Sequence, residues 1–129
     1  MSYREHAPSP VLAPWLACVW ERTADRDVPV RVLPDGCIDV IWSESRGAQL
    51  VGANTTAFLA AVAADEQMVG ARLRPGAAPS LLGVDAERVL DLRLDLGWVL
   101  GDEGRRLGET LERSADPAGS LAGWLDRRA

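Results

Sequence analysis

From Leu16 to Arg74 the chain does not sustain a helical period. Apolar and polar residues alternate in short runs, cut by Gly-, Pro-, Asn- and Asp-containing breaks, and such a pattern can close a core only as a β-structure. The expected strands are Leu16–Arg22, Val28–Leu33, Cys37–Ser43, Gln49–Ala53, Ala57–Ala63 and Gln67–Arg74, with a further one at Val89–Leu94. In RVLPDGCIDVIW (31–42), Leu33-Pro34-Asp35-Gly36 reads as a tight turn: Pro presets φ, Asp bonds its own backbone and Gly accepts positive φ. Val28–Leu33 and Cys37–Ser43 are therefore predicted to form a hairpin. Ala64-Asp65-Glu66 is predicted to join the next hairpin, between Ala57–Ala63 and Gln67–Arg74. Ser9-Pro10 suits an N-cap followed by one helical turn, and Ala77–Leu82 suits a short helix ended by Gly83.

From about Gly101 the period changes. Leu100, Leu107 and Leu111 fall on one helical face with Asp102 as cap. Asp116-Pro117 starts a second helix carrying Leu121, Trp124 and Leu125, with Arg127-Arg128 in its last turn. The expected fold is mostly β with C-terminal helices: a small β-barrel or sandwich plus a helical hairpin. One domain is expected, with the barrel over residues 1–100 and a helical dimerisation or connector segment over 101–129.

Composition narrows the function. Net charge is −5 and all 14 basic residues are Arg, interspersed with acids. Phosphate-backbone affinity comes mainly from clustered positive charge, so this chain is not expected to hold nucleic acid unaided. No stretch approaches the ~20 apolar residues that span a bilayer, and the N-terminus MSYREHAPSP lacks the apolar core of a signal peptide. A soluble, cytoplasmic protein without membrane contact is expected. Cys18 and Cys37, the two cysteines, are too few for a disulfide scaffold and suit a reducing compartment.

Four stretches, in this order, resemble the N-terminal domain of AraC-type bacterial transcription regulators. They are YREHAPSPVLAPWLACVWER (3–22), RVLPDGCIDVIW (31–42), VGARLRPGAAPSLLGV (69–84) and ERVLDLRLDLGWVLG (87–101). The likeness covers residues 3 to about 112 and rests on Leu-Pro-Asp-Gly-Cys followed, some thirty residues later, by Arg-x-Arg-Pro-Gly-Ala. It implies a cupin-like barrel that senses a small-molecule effector, followed by helices that form a homodimer. In that family a DNA-binding domain with two helix-turn-helix motifs follows, so DNA would be reached only through a domain absent from this chain. The sequence stops at Leu125-Asp126-Arg127-Arg128-Ala129, as either a sensor domain of a longer protein or a stand-alone relative. It also departs from the family at Asp95-Leu96-Gly97-Trp98, where the order Asp-Leu-Trp-Gly is expected.

Ligand-binding candidates are Trp20, Cys37, Asp39, Trp42, Arg72 and Arg74. Cys37 and Asp39 share one face of their strand, with Ile38, Val40 and Trp42 on the other. A turn-bonded or solvated carboxylate is the plainer account of Asp39. Arg72 and Arg74 project to one side, where a planar donor fork suits a carboxylate or phosphate; bridging to surface acids is the plainer account. Trp20 and Trp42 offer flat contact area, although Trp in so small a chain also serves as core.

Cys18 and Cys37 are redox candidates if their strands are neighbours, against the simpler reading of cysteine as a small buried hydrophobe. Gly76-Ala77-Ala78 is a weak anion signal. His6, the single histidine, cannot assemble a metal-dependent cupin or a Ser-His-Asp set. No metal, cofactor or catalytic residue is therefore expected. Leu107, Leu111, Leu121, Trp124 and Leu125 form an apolar stripe that packs on the domain or on a second copy, and dimerisation is the preferred reading. The alternative functions are a stand-alone small-molecule-binding or catalytic β-barrel, and a cysteine-based redox sensor.

Overall fold

The computed structural model describes residues 2–23, 28–32, 36–55, 58–62 and 66–129, with the backbone alone for 28–32 and 58–62. In chain order the strands are β1 (Ser2–His6), β2 (Leu16–Thr23), β3 (Val28–Val32), β4 (Asp39–Ser43), β5 (Gly47–Val51), β6 (Phe58–Val62), β7 (Met68–Leu73) and β8 (Arg93–Asp95). The helices are α1 (Ala78–Leu82), α2 (Leu96–Leu100), α3 (Asp102–Arg113) and α4 (Pro117–Arg128), with a 3-10 turn at Ala86–Val89. No described helix is long and apolar enough to cross a membrane.

Six strands form one antiparallel sheet in the order β1-β2-β7-β4-β5-β8, and β3 and β6 form a separate antiparallel pair. The six-stranded sheet stays open, with β1 and β8 as its edges. The expected β-sheet with C-terminal helices is present, as a mixed α/β fold; the described strands do not close into the expected cupin-like barrel. The strand positions are close to those expected from alternation, but the expected partners are wrong. β4 does not fold back on β3: it pairs with β5 and β7, while β3 pairs with β6. β7 likewise pairs with β2 and β4 in place of β6. The physical reason is that turn chemistry specifies a change of direction, whereas partner choice is decided by long-range burial. Residues 33–35 of the expected Pro-Asp-Gly turn, and Ala64 and Asp65 of the next, lie outside the described residues.

One face of the sheet carries the core. Val19, Val40, Trp42, Leu50, Val69, Ala71 and Leu73 are buried there beneath Leu81, Leu82, Leu96, Leu107, Leu111, Leu121, Trp124 and Leu125. Helices α2 and α3 lie against β5, and α4 lies against β7 and β2. The expected dimerisation stripe, Leu107, Leu111, Leu121, Trp124 and Leu125, is thus spent on the chain's own core. A dimer of this chain would have to use other residues.

Local capping explains the element ends. Asp116 accepts from the Gly119 N–H at 3.1 Å and Pro117 occupies the first turn of α4, as its sequence predicts. Gly83 ends α1 in the left-handed region at φ 68°. Leu12 and Ala13 N–H both bond the Ser9 carbonyl, giving the expected helical turn after Ser9. The helical region begins earlier than Gly101: Asp95 caps α2 through the Gly97 N–H at 2.8 Å, and Asp102, the expected cap, sits in the first turn of α3. Val89–Leu94, expected as a strand, is mostly turn, and only Arg93–Asp95 pairs with β5.

Candidate functional site

The face of the sheet turned away from the helices carries a second, smaller apolar set: Cys18, Trp20, Ile41 and Val51, with Met68 packed against it. Its centre is Gly70. A Cβ there would run into the Trp20 indole, so only glycine lets the ring lie flat across β7. Register sets the rest. Cys18 and Asp39 are the cross-strand partners of Arg72 on its two sides, and Glu5 is the partner of Trp20. Alternation then puts Tyr3, Glu5, Cys18, Trp20, Asp39 and Arg72 on one face.

These side chains meet. Arg72 Nη1 lies 3.4 Å from Glu5 Oε1 and 3.9 Å from Cys18 Sγ, and Arg72 Nε lies 3.9 Å from Asp39 Oδ1. The Trp20 indole N–H donates to Asp39 Oδ2 at 3.2 Å, and the Tyr3 hydroxyl donates to Glu5 Oε1 at 3.0 Å. Arg22 stacks over Tyr3 and Trp20 with its guanidinium carbon 5.0 and 5.9 Å from the ring centroids. Burial works against the Arg72 charge, but the Asp39 carboxylate and the Tyr3 contact outweigh it and raise its pKa. Burial also raises the Tyr3 phenol, with the Glu5 hydrogen bond acting in the same direction. The result is a fixed cation between two carboxylates on an aromatic and aliphatic floor. The Arg72 side chain is still 30% exposed, while its Nε is closed off from solvent.

Of the six expected ligand-binding residues, the structure brings together Trp20, Asp39 and Arg72. Cys37 is half-buried just ahead of Asp39. Trp42 is not on this face: it is buried in the core beneath the helices, because it follows Val40 in the alternation. Arg74 lies past the end of β7, where its Nε donates to the Ala13 carbonyl at 2.8 Å and fastens the N-terminal turn. Sequence reasoning missed Glu5 and Tyr3, since it assigned no strand ahead of Leu16. The Tyr3/Glu5 alternation was the available signal, but pairing with β2 across a long connection has no local signature. His6 lies on the opposite side of β1 from Glu5, 2.8 Å from Glu21 Oε2. Together with Arg4 it holds the Glu21 carboxylate below its usual pKa. Among the described residues no group of three or more His, Cys, Asp or Glu could hold a metal ion.

The two cysteines do not lie on adjacent strands, because β7 separates β2 from β4. Two strand spacings and a two-residue offset place them roughly 10–12 Å apart, beyond the roughly 7 Å a disulfide tolerates without backbone movement. Cys18 is 8% exposed, and burial pushes its thiol pKa up against the opposing effect of Arg72. Alkylation with iodoacetamide at pH 8, followed by mass spectrometry, is expected to label Cys37 about tenfold or more faster than Cys18. Equal rates, or a Cys18–Cys37 disulfide formed under mild oxidant, would reinstate the thiol-switch reading.

A concavity lies between α3 and α4. It is a cleft of about 240 Å³ floored by Leu107 and Trp124 and walled by Arg106, Thr110, Ser120 and Arg127. That is smaller than the roughly 300 Å³ at which ligand pockets usually begin.

A family model described as a domain of unknown function, DUF6597, matches residues 4–95. The chain belongs to this family. The DUF6597 match runs from β1 into β8, so it takes in Glu5, Cys18, Trp20, Asp39 and Arg72 and leaves α2, α3 and α4 outside. No curated protein and no solved structure matches the chain.

Proposed function

We propose that this DUF6597 chain is the effector-sensing and dimerisation domain of a cytoplasmic AraC-type transcription regulator, with the sheet face around Arg72 as its effector site. Four stretches of the sequence support the first half of this reading by their resemblance to such domains. The Glu5–Arg72–Asp39 set over Trp20 and Ile41 supports the second, and is the single observation that carries it. Arg72 offers a directional donor fork, the two acids offer acceptors, and the rings offer contact area. Such a face suits a small polar molecule with an apolar body. DNA binding belongs to a further domain. No catalytic step is assigned, since the one imidazole is bonded to Glu21 on the other side of β1.

Sensing requires only that the effector bind one conformational state better than another, which shifts the population and repositions what the domain is attached to. A thermal-shift screen of small carboxylates, amines and polyols, followed by calorimetry, is expected to find a stabilising ligand. Arg72→Ala should weaken that ligand about tenfold or more, the usual cost of losing a hydrogen bond to a charged group. A ligand that binds Arg72→Ala and the unchanged chain equally would remove this face from the reading. The regulator assignment is tested separately by the gene beyond codon 129, where two helix-turn-helix motifs are expected.

A further inference from the structure

The apolar stripe on the helices is buried, yet a prominent apolar exposure remains around β8. Trp98 is 78% exposed, and Leu90 and Leu92 are each 45% exposed. A tryptophan open to this degree is unusual, because its area makes burial so favourable. β8 is also an edge of the sheet. The Gly52 N–H bonds the Leu92 carbonyl at 2.8 Å, which fixes the hydrogen-bonding phase of the β5–β8 ladder. Leu94 therefore turns its backbone groups toward β5, while Arg93 and Asp95 turn theirs outward. Arg93 adds a charge anomaly. It is half-buried, no acid pairs with it among the described residues, and burial together with the nearby Arg46 lowers its pKa.

We propose that β8 is a homodimerisation edge, at which two copies pair antiparallel about a two-fold axis through Leu94. This inference rests on the dimerisation half of the reading above and gives it a surface. In that register each Arg93 lies opposite Asp95 of the second copy, which supplies the acid Arg93 lacks. The outward Asp95 N–H of each copy meets the outward Arg93 carbonyl of the other. The segment bearing Trp98 comes beside the exposed Leu90 and Leu92 across the axis. An isologous contact requires each group to meet its complement through the same two-fold. Arg-Leu-Asp does so because, read against its own reverse, it brings opposite charges together. Charges on an edge strand ordinarily discourage pairing with other chains. Here they discourage every register but this one.

The surface is small for stable association, so sedimentation equilibrium of the 129-residue chain should be run at protein concentrations up to about 100 µM. The unchanged chain is expected to reach twice its 13.9 kDa mass. Trp98→Ser and Arg93→Glu should each weaken association about tenfold or more, with circular dichroism unchanged. Asp95→Arg should be monomeric too, but an equimolar mixture of Arg93→Glu and Asp95→Arg should associate, because every facing pair in the mixed dimer is opposite in sign. A mixture that stays monomeric overturns the register. A dimer insensitive to Trp98→Ser and Arg93→Glu overturns this surface while leaving dimerisation standing. A chain that is monomeric throughout overturns both.

Discussion

Leu121→Ala is expected to lower the unfolding free energy of the isolated chain by about 2–5 kcal/mol, the range for truncating a fully buried leucine that its surroundings cannot collapse around. Leu121 is fully buried, between α4 and the strands it covers, and Leu125, Leu111 and Leu107 complete the same layer. A domain of this size is held by about 5–15 kcal/mol, so the variant should be close to unfolding at physiological temperature. Urea denaturation at low protein concentration checks it. Arg113→Ala, on the exposed side of α3, serves as the control and should stay within about 0.5 kcal/mol. The experiment also separates the two readings of the helical stripe. If the stripe served a second copy, Leu121→Ala would alter association and leave the unfolding of dilute monomer almost unchanged.

That distinction explains how the sequence could specify the helices and still misassign their partner. Periodicity states that Leu107, Leu111, Leu121, Trp124 and Leu125 face something apolar, but the same stripe serves a sheet or a second chain equally well. Asp116-Pro117 was informative because a cap acts within one turn. The start of the helical region was hidden for the opposite reason: Asp95-Leu96-Gly97 follows a three-residue strand, too short to give alternation, and Asp102 offered a rival cap.

The site was legible in parts. Alternation in β4 correctly separated Asp39 from Val40 and Trp42, and alternation in β7 put Arg72 on the face opposite Leu73. What no local pattern contains is the strand order. The meeting of Cys18, Arg72 and Asp39 requires β7 to insert between β2 and β4, a pairing between segments far apart in sequence. The same insertion separates the two cysteines. Partner choice was thus the missing quantity throughout: it turned an expected hairpin into strands of two sheets and brought Glu5 into the site. A glycine carries similarly nonlocal information. Gly70 reads in sequence as a weak point in a strand, and in the fold it is the space that Trp20 occupies.

Gly52→Ala should be comparably damaging to the core truncation, costing about 3 kcal/mol or more, at or beyond the upper end for overpacking because the obstacle is backbone. A Cβ on Gly52 would fall on the Val89 carbonyl. That carbonyl cannot easily retreat. It accepts the Leu92 N–H at 3.0 Å, Asp91 N–H bonds the Ala53 carbonyl at 2.9 Å, and Thr55 holds the Asp91 carboxylate through its N–H and its hydroxyl, each at 2.7 Å. Asp91 itself sits at φ 58°, a conformation costly for a side-chain-bearing residue and stable only where the surroundings over-determine it. Gly108→Ala gives the contrasting sign. Its Cβ would meet only the Ala48 Cβ, at 3.7 Å, and within α3 the exchange should stabilise by about 0.5–1 kcal/mol. Parallel urea titrations measure both. A tolerated Gly52→Ala would mean that the 86–92 segment yields, and with it the phase that turns Arg93 and Asp95 outward. If instead the variant loses stability and β8 amide protection together, while Gly108→Ala gains, the β5–β8 edge is as rigid as a pairing surface requires.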